Sequence, residues 1–203
     1  MTRRHNDGGF TLIELLITVV ILGVITLPLA DLVISYFTNT ATTTSRLAES
    51  HDEQIAAAYF SQDVAAVGTR DNSGAVHQSV YSGGFPGGSC GGSAAPANQV
   101  LLLKSDNIAY ANSTATTTVN SVAYVIATSG NERQLHRIFC VGPLQTSDVV
   151  LIHNLDPGVV PQVACSPNCV AVSTITLTVG ISSSSGSGQP YTLALTGTRR
   201  QSA

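Results

Sequence analysis

The apolar and polar positions divide the chain into a long helical pattern followed by a series of strand patterns. From 10 to 30 the residues are apolar, apart from three threonines, a proline, a glycine and Glu14. A helix rises about 1.5 Å per residue, so this run of 21 residues would span roughly 31 Å, the thickness of a bilayer core. The run therefore predicts a membrane-crossing helix over 10–30.

Beyond Ala30 the pattern stays helical but becomes amphipathic over 31–68. Apolar side chains recur at steps of three, four and eight residues: Leu47, Ile55, Tyr59, Phe60, Val64 and Val67. Charged side chains fall largely between them: Arg46, Glu49, Asp52, Glu53 and Asp63. The pattern predicts one helix from about 11 to 67 that stops at Gly68. Pro28 and the threonine-rich stretch 38–44 are the places where we expect this helix to loosen.

The segment 69–98 is rich in glycine and is predicted to be a loop region. It contains the string Gly87-Gly88-Ser89-Cys90-Gly91, which fits the G-x-S-x-G pattern of a nucleophile elbow. Such an elbow needs a buried strand before the serine and a helix after it, and neither pattern is present. No lysine and helix follow that would complete a phosphate-binding loop. We therefore expect no catalysis from this segment.

The last part of the chain, 99–203, is predicted to form a β-sheet domain. Runs rich in valine and threonine, typical of half-exposed strands, lie at 99–104, 121–128, 134–141, 149–153, 170–179 and 191–195. Turn residues separate them, and the serine- and glycine-rich run 182–188 is a low-complexity loop. The predicted fold class is α+β, with a long helix and an antiparallel sheet.

Composition and charge narrow the possible functions. Charged residues make up 10% of the chain, whereas about 25% is usual for a soluble domain. The formal net charge is −3, and the basic pairs are Arg3-Arg4 and Arg199-Arg200. We interpret the second pair as a solvated tail. This composition predicts a membrane segment with an exported domain, and its charge gives no basis for nucleic-acid binding.

The four cysteines, at 90, 140, 165 and 169, follow the apolar run. An even number in an exported domain favours disulfides. A zinc site is less well supported, because Cys-x-x-Cys spacing is absent and no histidine is close to Cys165 or Cys169. Pro167-Asn168 favours a turn that joins Cys165 to Cys169 and leaves Cys90 for Cys140, although three pairings are open. The histidines form no spaced cluster, so we expect neither a metal nor a cofactor.

The N-terminus combines a short polar leader, 1–9, with the apolar run. An ordinary signal peptide is cut after its apolar region, next to small residues. Here the small pair Gly8-Gly9 precedes that region instead, so we expect the apolar run to stay with the mature protein. A carboxylate inside a membrane, such as Glu14, usually has a partner. A cut between Gly9 and Phe10 would create an amine four residues before Glu14.

The string Gly9-Phe10-Thr11-Leu12-Ile13-Glu14-Leu15 resembles the class III signal of type IV pilins and type II secretion pseudopilins. The resemblance covers about twenty-five residues. It implies that a prepilin peptidase cuts after Gly9 and methylates Phe10, and that Glu14 guides assembly. It also implies the pilin-like fold, in which the second half of one long N-terminal helix packs on a sheet.

Two weaker strings bear on the subtype. Tyr59-Phe60-Ser61-Gln62-Asp63-Val64, and the pair Tyr124-Val125-Ile126 with Leu135-His136-Arg137, resemble segments of J-type minor pseudopilins. Gln62 departs from that pattern, in which arginine is frequent. These matches favour a minor subunit over the main shaft pilin, although Tyr124 and Leu135 are equally well explained as hairpin core.

The sequence thus predicts a structural subunit of a type IV pilus-like filament, not an enzyme. Its expected partners are the prepilin peptidase and methyltransferase, other pilin or pseudopilin subunits, the inner-membrane assembly platform and the bilayer. We expect a single-pass protein of the cytoplasmic membrane with an extracytoplasmic C-terminal domain, later part of a pilus or pseudopilus. The alternatives are a membrane-anchored binding module or adhesin, and a secreted enzyme with disulfides. The sequence leaves open whether the filament is a pilus, a secretion pseudopilus or a DNA-uptake filament.

Overall fold

One long helix and three antiparallel sheets account for the regular structure. A computed structural model describes residues 11–70, 76–83, 90, 98–111, 114–182 and 189–200. The helix, α1, runs from Leu12 to Ala65. The chain divides into two units, Met1–Ser45 and Arg46–Ala203, so that α1 contributes to both.

In the first unit α1 is helical throughout and its side chains are exposed. The expected loosening at Pro28 and at 38–44 does not occur. Threonine hydroxyls along the second stretch donate to carbonyl oxygens three or four residues earlier: Thr38, Thr40, Thr42, Thr43 and Thr44. These bonds give the threonine hydroxyls partners within the helix.

The second unit contains the last part of α1 and ten strands. The strands are β1 (Thr69–Arg70), β2 (Val76–His77), β3 (Val80–Ser82), β4 (Gln99–Ala111), β5 (Thr114–Ser129), β6 (Glu132–Val141), β7 (Leu144–Ile152), β8 (Gln162–Ser166), β9 (Thr174–Ile181) and β10 (Tyr191–Thr198). They form a pair β1-β2, a five-stranded sheet in the order β3-β4-β5-β6-β7 and a three-stranded sheet in the order β10-β9-β8. All these pairings are antiparallel.

Two hairpins of the five-stranded sheet close through glycine. Gly130 and Gly142 stand first in the two-residue turns between β5 and β6 and between β6 and β7, with φ of 62° and 57°. Glycine adopts positive φ without the penalty that a Cβ imposes, and such turns match the twist of the flanking strands. The register set here places Tyr124 opposite Arg137.

The core of the second unit lies between α1 and the two larger sheets. The helix contributes Ala56, Phe60 and Val64, all fully buried. Inward-facing residues of both sheets join them in one apolar cluster, including Leu101, Leu103, Val122, Tyr124, Leu135, Ile175, Leu177 and Leu195. Full burial of such an apolar side chain stabilises the fold by roughly 1.5–3 kcal/mol. The structure thus has the predicted α+β architecture, a long helix packed on antiparallel β-structure.

Some strand boundaries differ from those predicted. The segment 69–98, predicted to be a loop, contains β1, β2 and β3. The strand predicted at 170–179 begins at Thr174, and β8 was not predicted at all. Its five residues alternate between half-buried and exposed positions, and Pro161 and Pro167 bound it closely. The strand exists because it pairs with β9, a long-range contact that its own short pattern does not encode.

Candidate functional site

The first candidate site is the N-terminal part of α1. The amides of Glu14 and Leu15 donate to the carbonyl oxygen of Thr11 at 3.1 and 3.2 Å, which forms the first turn. Glu14 therefore lies where a carboxylate interacts favourably with the helix dipole. The predicted processing residues Gly8, Gly9 and Phe10 lie outside the described residues, as does the leader 1–9.

The surface of this part of α1 is predominantly apolar, with Glu14 and Asp31 as its charged residues. Its large apolar side chains from Leu12 to Phe37 are at least half exposed, and one window of α1 is long and apolar enough to cross a membrane. A helix that is apolar all round is typical of burial in lipid or among other helices. This segment can therefore insert in a bilayer or pack with like helices.

The second candidate site is a buried ionic cluster in the second unit. Asp63 on α1 accepts two hydrogen bonds from Arg137 on β6, from Nε to Oδ2 at 2.7 Å and from Nη2 to Oδ1 at 2.6 Å. The hydroxyl of Tyr124 on β5 donates to Oδ2 at 2.7 Å. The Asp63 and Arg137 side chains are only 5% and 11% exposed. This two-point geometry gives a charge-assisted bond both strength and a defined orientation.

Aromatic rings enclose the cluster. The guanidinium of Arg137 lies 4.9 Å from the centroid of the Tyr59 ring and 5.4 Å from that of Phe139. The rings of Phe60 and Tyr124 make an edge-to-face contact, with centroids 5.4 Å apart. The contacts with the Tyr59 and Phe139 rings help to hold the guanidinium of Arg137 in place.

The environment of the cluster shifts two pKa values. Burial raises the pKa of Tyr124 well above its usual value, and the charge of Asp63 and the hydrogen bond to it raise it further. Burial alone would lower the pKa of Arg137, but its hydrogen bond to Asp63 and the charge of Asp63 leave that pKa above its usual value. Tyr124 therefore stays a neutral donor, and Arg137 stays charged.

Three short strings noted in the sequence meet at this cluster. They supply Asp63, Tyr124 and Arg137, whereas Gln62, the departure from the pattern, is exposed. The expectation that Asp63 lies off the apolar stripe with the other charged residues is wrong, because it is 7% exposed. Its position four residues after Tyr59 was a signal that it belongs to the buried face.

A second group of contacts holds α1 to the sheets. The Nδ1 of His153, just after β7, lies 2.7 Å from Oδ2 of Asp52. The hydroxyl of Tyr191 on β10 donates to Glu53. Burial of Tyr191 and its bond to Glu53 raise the pKa of that phenol. Thus Asp52 and Glu53, on adjacent helix positions, are bound by two different parts of the sheets.

The basic pair near the C-terminus takes part in this docking. The Nε of Arg199 donates to the carbonyl oxygen of Val67 at 2.9 Å, and the amide of Arg200 donates to Ala65 at 3.4 Å. The interpretation of this pair as a solvated tail is therefore wrong for Arg199. A cation at these carbonyls satisfies acceptors that the helix end leaves open.

The structure joins the four cysteines in two disulfides. Cys165 is bonded to Cys169 and Cys90 to Cys140, with Cα–Cα distances of 5.0 and 5.4 Å. Within the first loop, Oδ1 of Asn168 accepts from the amides of Val170 and Ala171. These bonds form the turn that brings Cys165 and Cys169 together.

Metal-binding geometry is not found in the described part of the chain, where no three histidine, cysteine or acidic side chains converge. His136 on β6 is half-buried, with its Nδ1 2.7 Å from Oδ1 of Asp148 on β7. Like Asp63 with Arg137 and Asp52 with His153, this pair joins two elements of the second unit.

Comparison with known proteins identifies the first site. The model of the prokaryotic N-terminal methylation motif matches residues 4–30. No curated protein and no solved structure matches the chain. The matched region contains Gly8, Gly9, Phe10 and Glu14, and with the apolar helix it indicates membrane anchoring. The N-terminal segment is thus a prokaryotic methylation motif, and it supports assigning the chain as a type IV pilin-like prepilin.

Proposed function

We propose that this chain is a structural subunit of a type IV pilus-like filament. In this proposal a prepilin peptidase cuts between Gly9 and Phe10, and the new N-terminus at Phe10 is methylated. The observation that carries the proposal is the exposed apolar surface of α1, most of which lies within the matched methylation motif at residues 4–30. Gly8 and Gly9 have no side chains to obstruct a peptidase at the membrane boundary.

The physical argument concerns the burial of this surface. In lipid a helix satisfies its own backbone hydrogen bonds, so 10–30 is stable as a membrane segment. In a filament the same side chains pack against the helices of other subunits, which replaces lipid contacts by protein contacts. The apolar helix thus serves as a membrane anchor first and as an assembly surface afterwards. Assembly needs no catalytic group in this chain.

The orientation follows from charge and cysteine chemistry. Arg3 and Arg4 precede the apolar run, and positive residues favour the cytoplasmic side. The disulfides of the second unit need an oxidising compartment. We therefore place the chain once across the cytoplasmic membrane, with the sheets outside. Its partners are the peptidase, other pilin or pseudopilin subunits and the assembly platform.

Within this proposal, we assign the chain more specifically as a minor subunit of the filament. This assignment is supported by the resemblance of the strings around Asp63, Tyr124 and Arg137 to J-type minor subunits. Asp63, Tyr124 and Arg137, which these strings contain, make a buried contact with one another, whereas Tyr124 and Leu135 also belong to the core, as the hairpin alternative expects. Stoichiometry in sheared filaments tests this assignment, since a minor subunit is recovered in a small proportion to the main pilin.

Intact-mass analysis of membrane fractions tests the proposal. We expect a mature chain that begins at Phe10 and carries the mass of one added methyl group. Gly9→Val should leave the precursor uncut, whereas Asn6→Ala in the leader should be cut normally. A mature chain that begins beyond Ala30 would exclude the proposal, because the apolar helix would then be a removed signal peptide.

Non-reducing peptide mapping of the same sample tests the pairs Cys165–Cys169 and Cys90–Cys140, and free thiols would contradict them.

A further inference from the structure

The hairpin of β4 and β5 extends past the rest of the five-stranded sheet. β3 pairs with β4 only as far as Leu103, and β6 pairs with β5 only from Asn120 onwards. Over 107–111 and 114–118, β4 and β5 pair with each other alone among the strands. We call these two stretches the β4–β5 arm. At about 3.3 Å per residue the arm is roughly 17 Å long.

The bonds at the base of the arm show which of its backbone groups point outwards. The amide of Asp106 donates to the carbonyl oxygen of Gly68 at 3.0 Å, on the side away from β5. The amide of Gly142 donates to the carbonyl oxygen of Val119 at 2.9 Å, on the side away from β4. Backbone groups alternate in direction along an antiparallel strand. Every second residue of the arm therefore presents its amide and carbonyl outwards: Ile108 and Tyr110 on β4, Ala115 and Thr117 on β5.

Both edges of the arm are open within the described part of the chain, where these four residues make no backbone bond outside the hairpin. An open strand edge can pair with another chain, so native proteins usually protect it with charged residues or proline. The sequence from 107 to 120 contains neither. A two-stranded ribbon alone is also only marginally stable in water. The arm therefore lacks both the usual protection and the support of a third strand.

The two edges differ in residue type. The β4 edge is apolar or aromatic throughout 108–111, whereas the β5 edge has four threonines among the five residues 114–118. Ile108 on the β4 edge is 52% exposed. A strand that pairs with an edge also covers side chains of the strand beside it. Because burial of apolar surface is favourable, an added strand gains more at the β4 edge.

We propose that the β4 edge of the arm, at Ile108 and Tyr110, pairs with an open edge strand in the sheet domain of a neighbouring filament subunit. This inference rests on the proposed function, which supplies the neighbouring subunit. Recognition by strand addition depends on backbone hydrogen bonds, and adjacent side chains add selectivity. The uncharged arm fits such a partner, since it offers an acidic or basic ligand no opposite charge. The arm is thus a second assembly surface, separate from the apolar helix.

Proline substitutions in the full-length chain test the proposal. Proline has no amide donor, and it is tolerated at an edge position whose amide points outwards. Ile108→Pro changes the β4 edge, and Thr117→Pro makes the same change at the residue directly opposite, on the β5 edge. Both variants keep the ladder between β4 and β5. Ile108→Thr keeps the amide and controls for loss of the apolar side chain.

The amount of each variant in sheared filaments is compared with its amount in the membrane fraction. Ile108→Pro should be recovered about tenfold less than the unaltered chain, which is the effect of losing about one to two backbone hydrogen bonds. Thr117→Pro should be recovered as well as the unaltered chain. Ile108→Thr should lose less than Ile108→Pro, because the backbone pairing is kept.

Hydrogen exchange of the unaltered chain gives a second measurement. In detergent micelles the amides of Ile108 and Tyr110 should exchange faster than those of Asn107 and Ala109, which face β5. In filaments the exchange of Ile108 and Tyr110 should slow by at least about tenfold, because their amides gain acceptors. The amide of Thr117 should exchange at the same rate in both states.

Equal recovery of Ile108→Pro and Thr117→Pro would overturn the proposal, whether both assemble or both fail. Unchanged exchange at Ile108 and Tyr110 in filaments would overturn it too. If thermal unfolding in detergent shows that Ile108→Pro does not fold, the exchange measurement decides alone. Normal incorporation of every variant would remove this inference and leave the proposed function intact. Absence of the unaltered chain from filaments would remove the proposed function, and this inference with it.

Discussion

Asp63 and Arg137 are 74 residues apart in the chain, yet they form a two-point ion pair inside the second unit. A buried pair of this kind contributes little net stability compared with well-packed apolar residues, because both charges lose their hydration. Removal of one partner is much more costly, since it leaves the other charge buried. Loss of one partner is therefore expected to cost more than the intact pair contributes.

Replacement of Tyr124 by phenylalanine should destabilise the second unit. The change removes one hydrogen bond to the buried carboxylate while the ring contact with Phe60 is kept. Bonds to charged groups contribute about 1.5–3 kcal/mol, so we expect a loss of that size. Denaturant unfolding of the full-length chain in detergent measures it.

Tyr81→Phe is the matched control for this variant. The Tyr81 hydroxyl donates to the carbonyl of Gln78 at an exposed position, where loss of a bond matters less. If both variants lost the same free energy of unfolding, the Tyr124 hydrogen bond would gain no strength from its buried, charged acceptor.

Alkaline pH should weaken the fold through the same tyrosine. The pKa of Tyr124 is raised in the folded state, so the stability it adds is fully present below the pKa of an unfolded tyrosine, about 10. As the pH rises above that value, the unfolded state loses its proton first. The free energy of unfolding then falls by up to about 1.4 kcal/mol per pH unit for this group.

The slope of stability against pH tests this assignment. Tyr124→Phe should make the decline above pH ~10 shallower, whereas Tyr191→Phe should have a smaller effect because Tyr191 is partly exposed. An unchanged slope in Tyr124→Phe would show that other groups cause the alkaline loss.

Close packing between α1 and β10 gives a steric prediction. A Cβ added at Gly197 would lie 2.6 Å from the Cβ of Val64, so Gly197→Ala should force the two elements apart. Overpacking of this kind costs about 1–3 kcal/mol. Thermal unfolding of Gly197→Ala, Val64→Gly and the double variant measures the coupling, because only glycine removes the Cβ of Val64 that the added carbon would meet. The double variant should lose less than the sum of the two single losses, and strict additivity would contradict the contact.

The sequence predicts the helix and most of the large strands well, because their patterns are long and local. The helix over about 11–67 agrees with Leu12–Ala65 to within two residues at each end. β8 could not be predicted, since its five residues acquire strand geometry only by pairing with β9. The loosening expected near Thr38 was wrong because propensity is a weak prior, and a helix that is already formed on both sides continues through such a stretch at little cost.

The two candidate sites differed in how far the sequence specified them. The N-terminal motif is contiguous, so residue order alone carries Gly9, Phe10 and Glu14. The cluster of Asp63, Tyr124 and Arg137 draws its residues from three separate elements. The sequence strings that contain these residues could be recognised, but their contact in the fold could not be predicted. A charged residue on a helix is usually solvated, and only the sheet register that places Tyr124 opposite Arg137 makes this one buried.

Glu14 gives the last prediction, which concerns assembly. A carboxylate within a membrane is tolerated when it has a positive partner. The amine at Phe10 would be such a partner, and it would exist only after the cut. Glu14→Ala removes the charge, so insertion in the membrane and cutting should proceed, while incorporation into filaments should fall. Glu14→Gln should behave in the same way, because a neutral amide does not neutralise the amine.

The yield of each variant in sheared filaments, beside its amount in the membrane fraction, decides the role of Glu14. Thr18→Val is the control, since Thr18 is on the same exposed helix and its hydroxyl donates to the carbonyl of Leu15 within that helix. It should assemble normally because it changes no charge. Normal incorporation of both Glu14 variants would mean that the carboxylate is a passive residue at the membrane edge. Failure to insert would also contradict the argument, because loss of a buried charge makes insertion more favourable.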